Sequence, residues 1–282
     1  MQKVVTSKGR GYRTIPVHRP IPPVPAHRPI PPIPAYGPIS VVQALAPWLY
    51  TKRTEEPRGA KMLDGSHQNI AMFCDFDGTI TVGDVVDILL EQLADPQWRV
   101  IEKRWENDEI DDCECMSQQI SLIRGDWRDI VRVLDTIEMD AHFKSFVEQC
   151  NQACIPIYVG SNGLDRVINY FFAREGIKVK DIWSYRLIES NSQWSLEFPH
   201  GQPRGVCQAA NSVACKCTLL ESHLAGAENT YRVVIGDSRS DFCWVQKADF
   251  VFAKSKLAQH CRDKQINHLS FTNFADINRY LI

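Results

Sequence analysis

The first 54 residues contain no aspartate and no glutamate, yet they hold eight basic side chains: Lys3, Lys8, Arg10, Arg13, Arg19, Arg28, Lys52 and Arg53. Of the chain's 32 lysines and arginines these leave 24 for the remainder, which carries all 34 acidic groups and a net charge of −10. A body so short of positive charge is a poor counterpart for a phosphate backbone, which argues against nucleic acid as a partner. Long apolar runs are missing too. None approaches the ~20 residues of a membrane span, so no membrane partner is expected, and the start lacks the apolar core of a secretion signal. With ten cysteines scattered along the chain, a cytoplasmic protein with reduced thiols is expected. The usual zinc spacing is also absent: Cys113-Glu114-Cys115 and Cys215-Lys216-Cys217 each have one intervening residue, not two to four. Zinc held by Cys207, Cys215, Cys217 and His200 is therefore set behind buried thiols or a structural cluster beside the active site.

What is present divides in two. Residues 18–26 read HRPIPPVPA and residues 27–35 read HRPIPPIPA, a nine-residue tandem repeat dense in proline. Proline fixes φ and removes donors, so this stretch favours a solvated polyproline II rod. Residues 1–67 are expected to form a disordered, proline-rich extension. Arg19, Pro22 and Pro25, and again Arg28, Pro31 and Pro34, stand at the spacing of a ligand for SH3-type domains. Translation beginning at Met62 or Met72 would omit the repeat altogether.

From Gln68 onward the 282-residue chain has length for one core plus an insertion. Apolar runs at Asn69–Cys74, Ile155–Gly160 and Tyr231–Gly236 predict buried strands, with a hairpin around Asn191-Ser192. Residues 84–135 alternate at helical spacing and predict three or four short helices. Further helices are expected near 141–152, 164–175 and 212–224. Toward the end come a helix at 241–246, a strand at Phe250–Ala253 and helices at 257–264 and 273–281. Strands alternating with helices imply an α/β fold, a doubly wound, Rossmann-like parallel sheet.

The chemistry concentrates at the strand ends, where open α/β sheets bind their ligands. Asp75-Phe76-Asp77-Gly78-Thr79 follows the first strand. Two carboxylates there can divide one reaction, the first attacking phosphorus and the second moving the proton. Ser161-Asn162-Gly163 follows the second strand, where a hydroxyl and backbone N–H groups can cradle a phosphate. Lys216 can neutralise charge as it builds. Gly236-Asp237-Ser238-Arg239-Ser240-Asp241 follows the third strand. Its two carboxylates near Asp75 would repel without a hard cation such as Mg²⁺ among them.

In this order the four segments resemble the signature of the haloacid dehalogenase superfamily, over roughly residues 68–282. The resemblance implies Asp75 as nucleophile and metal ligand. It makes Asp77 the acid/base, with its carbonyl on the metal. Ser161, Asn162, Gly163 and Lys216 would surround the phosphoryl group, Asp237 would bind the metal, and Asp241 the metal or its water. Asp75 and Ser161 stand 86 positions apart (161 less 75), far more than a crossover needs. The excess is similar to the helical cap of the phosphoserine-phosphatase-like branch, placed here at about 83–138. Within that branch the chain most resembles the phosphatases of bacterial methionine salvage, which act on 2-hydroxy-3-keto-5-methylthiopentenyl 1-phosphate. The likeness runs through Ile155-Pro156-Ile157-Tyr158, Phe198-Pro199-His200, Phe252-Ala253 and Asn267-His268-Leu269.

The implied activity is that of a Mg²⁺-dependent phosphomonoesterase for a small phosphorylated metabolite of the keto or enol phosphate kind. Phosphoserine, phosphocholine and phosphoethanolamine remain as alternatives. Phosphoserine enzymes of the branch pair an acidic residue, matched here by Asp84, with a cap arginine. The matching stretch Met116-Ser117-Gln118-Gln119 has none, and Asp84 is expected to be the lone acid of the cap facing the phosphate. A catalytically idle relative using the proline repeats as an interaction arm is the rival from another class; the intact acid pair and Lys216 speak against it.

No motif lies in the extension, so removal of residues 1–60 is expected to leave kcat/KM unchanged. Steady-state kinetics of the truncated and full chains checks this, and a large drop would mean that the extension folds onto the catalytic domain.

Overall fold

Asn69–Cys74 (β1) is apolar almost throughout, and its last four residues are buried. That is what a strand with neighbours on both edges and helices on both faces requires. The computed structural model describes residues 69–191, 193–200, 207, 215–224 and 230–281. The proline-rich extension expected at 1–67 lies outside the described residues. The other strands are β2 (Ile157–Leu164), β3 (Asp181–Ser190), β4 (Gln193–Glu197), β5 (Thr230–Gly236), β6 (Phe250–Ala253) and β7 (His268–Ser270). They form one sheet in the order β4-β3-β2-β1-β5-β6-β7. All neighbours are parallel except the β3–β4 hairpin. The register sets Met72 of β1 between Ile157 of β2 and Val233 of β5. The chain builds outward from β1 on one side through β2 and β3, then returns to its other side at β5. Loops after β1 and β5 therefore diverge, and a crevice opens between them at the carboxyl ends.

Side chains alternate along β1. Met72 and Cys74 join the larger core with the helices α5 (Phe143–Gln152) and α6 (Asp165–Glu175). Ala71 and Phe73 face the other layer, where α7 (Lys216–Leu224) and α8 (Ser255–Asp263) pack through Leu219, Leu220, Leu257 and Cys261. The short α9 (Phe274–Asn278) closes the larger core, with Phe274 wedged against Phe143 and Phe146.

Between β1 and α5 the chain makes four short helices: α1 (Val85–Leu93), α2 (Trp98–Glu106), α3 (Asp112–Ser121) and α4 (Trp127–Leu134). Aspartates cap three of them. Asp84 accepts from the Asp87 N–H, Asp111 from the Glu114 N–H, and Asp126 forms a reciprocal capping box with Asp129. The insertion leaves and returns through a two-stranded neck. Val82 N–H donates to Glu138 O at 2.9 Å, Asp140 N–H donates to Ile80 O at 2.8 Å, and Thr81 bridges Met139.

Three local expectations change. The helix expected at 241–246 is two 3₁₀ turns, Arg239–Asp241 and Val245–Lys247. The first is held open by a box between Ser238 and Asp241. β2 runs on to Leu164, past the expected end at Gly160, because its pairing with β3 resumes at Leu164–Tyr185 after a register shift. β7, unforeseen, has three residues and follows β6 in the ladder. Among the described residues no helix is long and apolar enough to cross a membrane.

Candidate active site

The strand hydrogen bonding carries Asp75 into the crevice: its N–H donates to Ile235 O at 2.9 Å. Phe76 is fully buried and sits edge-on to Phe171 and Phe172. This aromatic plug between the two carboxylates fixes where both emerge. Gly78 then turns the chain at φ +71°, and a Cβ there would come within 2.7 Å of Asp237 Oδ2. Both its conformation and its lack of a side chain are required.

Lys216 opens α7 and ends in the middle of the acids. Its Nζ donates to Asp75 Oδ1 at 2.5 Å, to Asp241 Oδ1 at 2.8 Å and to Ser240 Oγ at 2.9 Å. The ammonium has three donors, and all are used in a place that leaves its side chain 3% exposed. Asp241 is wholly buried. Its second oxygen accepts from the N–H groups of Asp237 at 2.9 Å and Ser238 at 3.0 Å. Asp237 in turn accepts from Thr79 Oγ1 at 3.1 Å. Carboxylate oxygens of Asp75, Asp237 and Asp241 all lie within 4.8 Å of one another.

Burial raises the Asp75 carboxyl to about 6; Lys216 pulls it down and Asp237 pushes it up. Asp241 also rises to about 6, through burial and then the Asp75 charge, against the pull of Lys216. Burial alone would lower the Lys216 ammonium, but Asp241 and Asp75 outweigh it and hold it above its ordinary value. Asp77 stands apart. Its Oδ1 accepts from the Val85 N–H at 3.1 Å and its Oδ2 from Ser161 Oγ at 3.1 Å. Burial, then the charges of Asp84 and Asp75, lift it well above the carboxylate range. Asp75 thus has a cation in contact that favours its ionised form, while burial and neighbouring charge push Asp77 toward its protonated form.

The second segment meets the first at close range. Gly163 N–H donates to Ser161 Oγ at 2.8 Å, and a Cβ on Gly163 would fall 2.5 Å from Asp77 Oδ2. Asn162 turns away to the insertion, where its Nδ2 donates to Asp112 Oδ2 at 3.0 Å. Asp112 is buried and also accepts from the Tyr185 hydroxyl. Asn162 is thus a tie between the sheet and α3 as well as part of the cleft wall.

Three of the four segments border one cleft of about 620 Å³, roofed by the insertion: the first through Asp75 and Asp77, the second through Asn162 and Gly163, and the last through Asp237 and Ser240. Lys216 sits beneath it, joined through Asp75. Asp84 lines the cleft, but it is not the lone acid there: Asp87, Glu102 and Asp112 line it too. Trp105, Met116 and Gln119 supply the neutral surface. An arginine is present as well. Arg239 comes from the loop after β5, donates to Asp108 at 2.8 Å and lies over the Trp105 ring. Sequence reasoning assigned no role to Ser240, Thr79, Glu102 or Trp105. Ser240 was discoverable as the polar neighbour of Asp241, whereas α2 gave no signal tying its side chains to the cleft.

No protein-family profile matches the chain. Individual relatives do. The 2-hydroxy-3-keto-5-methylthiopentenyl-1-phosphate phosphatase of Bacillus thuringiensis subsp. konkukian (strain 97-27) is 31% identical over 215 residues, 76% of this chain and 96% of the relative. The protein of the same name from Geobacillus thermodenitrificans (strain NG80-2) is 30% identical over 221 residues, with the same coverage. Among solved structures, a substrate-bound phosphoserine phosphatase superposes with a TM-score of 0.59 at 14% identity, covering 76% of this chain and 98% of that one. A phospho-aspartyl intermediate analogue of phosphoserine phosphatase gives 0.57 at 15%, covering 75% and 98%.

Lys216→Met tests the charge balance. A carboxyl whose folded value lies above its unfolded value stabilises the fold at low pH and loses that contribution as pH rises through the folded value. Without Lys216 both Asp75 and Asp241 move further up. The variant is therefore expected to lose ~3–5 kcal/mol at pH 7.5, as for a broken buried pair, and distinctly less at pH 5. Urea unfolding in EDTA at both values measures it; an equal loss at both would show that the carboxylates are not uncompensated.

Proposed function

Because the chain belongs to the haloacid dehalogenase superfamily and, within it, to the phosphoric monoester hydrolases, we propose that it cleaves a small phosphorylated metabolite in two steps through Asp75, with Mg²⁺ beside it. The observation that carries this reading is the pairing of Asp75, whose ionised form Lys216 favours from 2.5 Å, with Asp77, which burial and the charges of Asp84 and Asp75 push toward its protonated form. In the first step an Asp75 oxygen forms a bond to phosphorus while the ester P–O bond breaks, and Asp77 gives its proton to the departing alkoxide. In the second, Asp77 takes a proton from water as that water attacks the phosphorus. The bond to Asp75 breaks and inorganic phosphate leaves. Ser161 and the N–H groups near Gly163 border the site for the phosphoryl oxygens. Lys216 faces them across Asp75 and offsets their charge.

The donor set suits a hard cation. Three carboxylates converge within 4.8 Å, and one ammonium cannot balance them, so Asp75 and Asp237 are the ligands proposed for Mg²⁺, with the Asp77 carbonyl and Asp241 completing the surround. Bound there, Mg²⁺ supplies fixed positive charge for the phosphoryl oxygens. We assign residues 83–138 as a cap on the 68–282 catalytic domain. Its neck at residues 80–82 and 138–140 lets it close and exclude water.

For the substrate, the named relatives favour a methionine-salvage-type keto or enol phosphate. Trp105 and Met116 offer apolar surface for a thioether, and Asp84 an acceptor for a hydroxyl. The acidic lining of Asp84, Asp87 and Glu102 favours a second reading, a phosphorylated amino alcohol such as phosphocholine or phosphoethanolamine. A phosphoserine carboxylate is less well served, since Arg239 already engages Asp108.

Asp75→Asn is expected to abolish phosphate release from an aryl phosphate while keeping the fold, and Asp77→Asn to lose about 10²–10⁴-fold. EDTA should remove the wild-type rate and Mg²⁺ restore it. Turnover by Asp75→Asn near the wild-type rate would falsify the two-step scheme. Kinetics with 2-hydroxy-3-keto-5-methylthiopentenyl 1-phosphate, phosphocholine and phosphoserine side by side should rank the first highest in kcat/KM. A higher value for phosphocholine would move the assignment to the amino alcohols, and a higher value for phosphoserine would overturn the reading of the cap.

A further inference from the structure

A dense group of reactive side chains that the proposed reaction does not use lies beside Lys216, in the layer of α7 and α8. The sulfurs of Cys207, Cys215, Cys217 and Cys243 all fall within 4.8 Å of one another. Cys215 Sγ is 2.6 Å from Cys217 Sγ and 3.2 Å from Cys243 Sγ. Cys215 and Cys243 are buried, and Cys207 and Cys217 are half-buried against the same layer. We propose that these four cysteines bind one zinc ion in a closed tetrathiolate site that is separate from the carboxylate site and fixes the position of Lys216.

The donor chemistry selects the metal class. Four thiolates with no carboxylate or imidazole among them are soft ligands in a number that fills a tetrahedron, which suits zinc and leaves no open position for catalysis. Zinc–sulfur bonds of about 2.3 Å set tetrahedral ligand sulfurs roughly 3.8 Å apart. The sulfurs seen here, two pairs at 2.6 and 3.2 Å and all within 4.8 Å of one another, are gathered closely enough for one ion to hold all four. The Cys217 N–H points at Cys215 Sγ from 3.4 Å, a donor to sulfur of the kind that steadies a ligating thiolate. Pairing into disulfides accounts for the arrangement less well: a disulfide consumes two sulfurs, and here three meet at Cys215. His200, weighed as a fourth ligand from sequence, stands instead against the Trp183 ring, and Cys243 takes the place.

The location gives the site its purpose. Cys215 and Cys217 flank Lys216 at the start of α7, and Cys243 lies two residues beyond Asp241. One ion would pin the lysine-bearing segment to the loop that carries two of its three partners, Ser240 and Asp241. The four residues act here as positioning residues.

Metal analysis of the full chain, expressed with zinc and passed through EDTA on gel filtration, is expected to return one zinc per chain. EDTA strips the carboxylate site but should leave this one, while a mercurial that caps thiols should release the zinc in one step. Cobalt substitution should give the intense thiolate-to-cobalt charge-transfer absorption of a tetrahedral sulfur site, which carboxylate-bound cobalt cannot produce. Cys207→Ser with Cys217→Ser should lose both the zinc and the absorption. Zinc-free protein after this treatment, cobalt without charge-transfer bands, iron with labile sulfide, or zinc retained by the double variant would each overturn the proposal. The cobalt spectrum is read on the wild-type chain, so a variant that fails to fold leaves the decision intact. None of these readings depends on phosphatase turnover.

Discussion

One buried ammonium holds the site together. Lys216 gives each of its three N–H donors to a different group, Asp75, Asp241 and Ser240. These partners come from the ends of two adjacent strands, and the lysine itself comes from the start of a helix on one face of the sheet. Two carboxylates and a lysine out of water would be costly singly. Together they fix the relative position of β1, β5 and α7 at the end of the sheet where the chemistry lies. The balance is incomplete. The burial that makes the lysine useful also raises Asp75 and Asp241 to about 6, and Asp237 adds a third carboxyl. This concentration of negative charge around one cation is the ground on which a divalent ion is proposed there.

Space limits the site as strictly as charge does. The carboxylates of Asp77, Asp237 and Asp241 each lie where a neighbouring glycine has no side chain. A Cβ on Gly163, Gly78 or Gly236 would come within 2.5, 2.7 and 2.5 Å of them respectively. Backbone and carboxylate therefore pack more closely than any other residue type permits. Such contacts pass sheet geometry directly to the functional groups. The parallel register of β1 with β2 and β5 sets where Asp75, Ser161 and Asp237 emerge, and the glycines remove the slack.

What could be read from the sequence follows from which signals are local. Asp75, Asp77, Ser161 and Asp237 each directly follow an apolar run, so strand and motif announce one another. Lys216 had only its cysteine neighbours to mark it, and its partners become evident in three dimensions. Cys243 was missed because its three companions lie 26 or more positions earlier and nothing in its own segment marks it as a ligand. The acidity of the cleft was understated for a similar reason. Asp84, Glu102 and Asp112 belong to three separate helical segments, each with its own local explanation. Asp84 is a helix cap, and Asp112 accepts from Asn162 and Tyr185. Sums over elements that converge only in the folded chain are invisible to a reading made one segment at a time. β7 escaped for want of length, three residues being too few to show a period.

The insertion draws the two halves of the site into one device. Asp77 accepts from the Val85 N–H at the first turn of α1, Asn162 donates to Asp112 at the start of α3, and Arg239 from the core meets Asp108 between α2 and α3. Each contact joins a residue of the strand-end loops to the insertion, and each uses a group that also borders the cleft. Movement of the insertion about its neck at 80–82 and 138–140 would therefore be felt at the Asp77 carboxyl. The Val85 N–H stabilises the ionised form of Asp77, while burial and the Asp84 charge oppose it. A shift in α1 changes the sign-determining balance between these. The closure and the proton transfer proposed above would thus both act through one short segment, residues 82–85, which holds one end of the neck, the helix cap and the N–H donor.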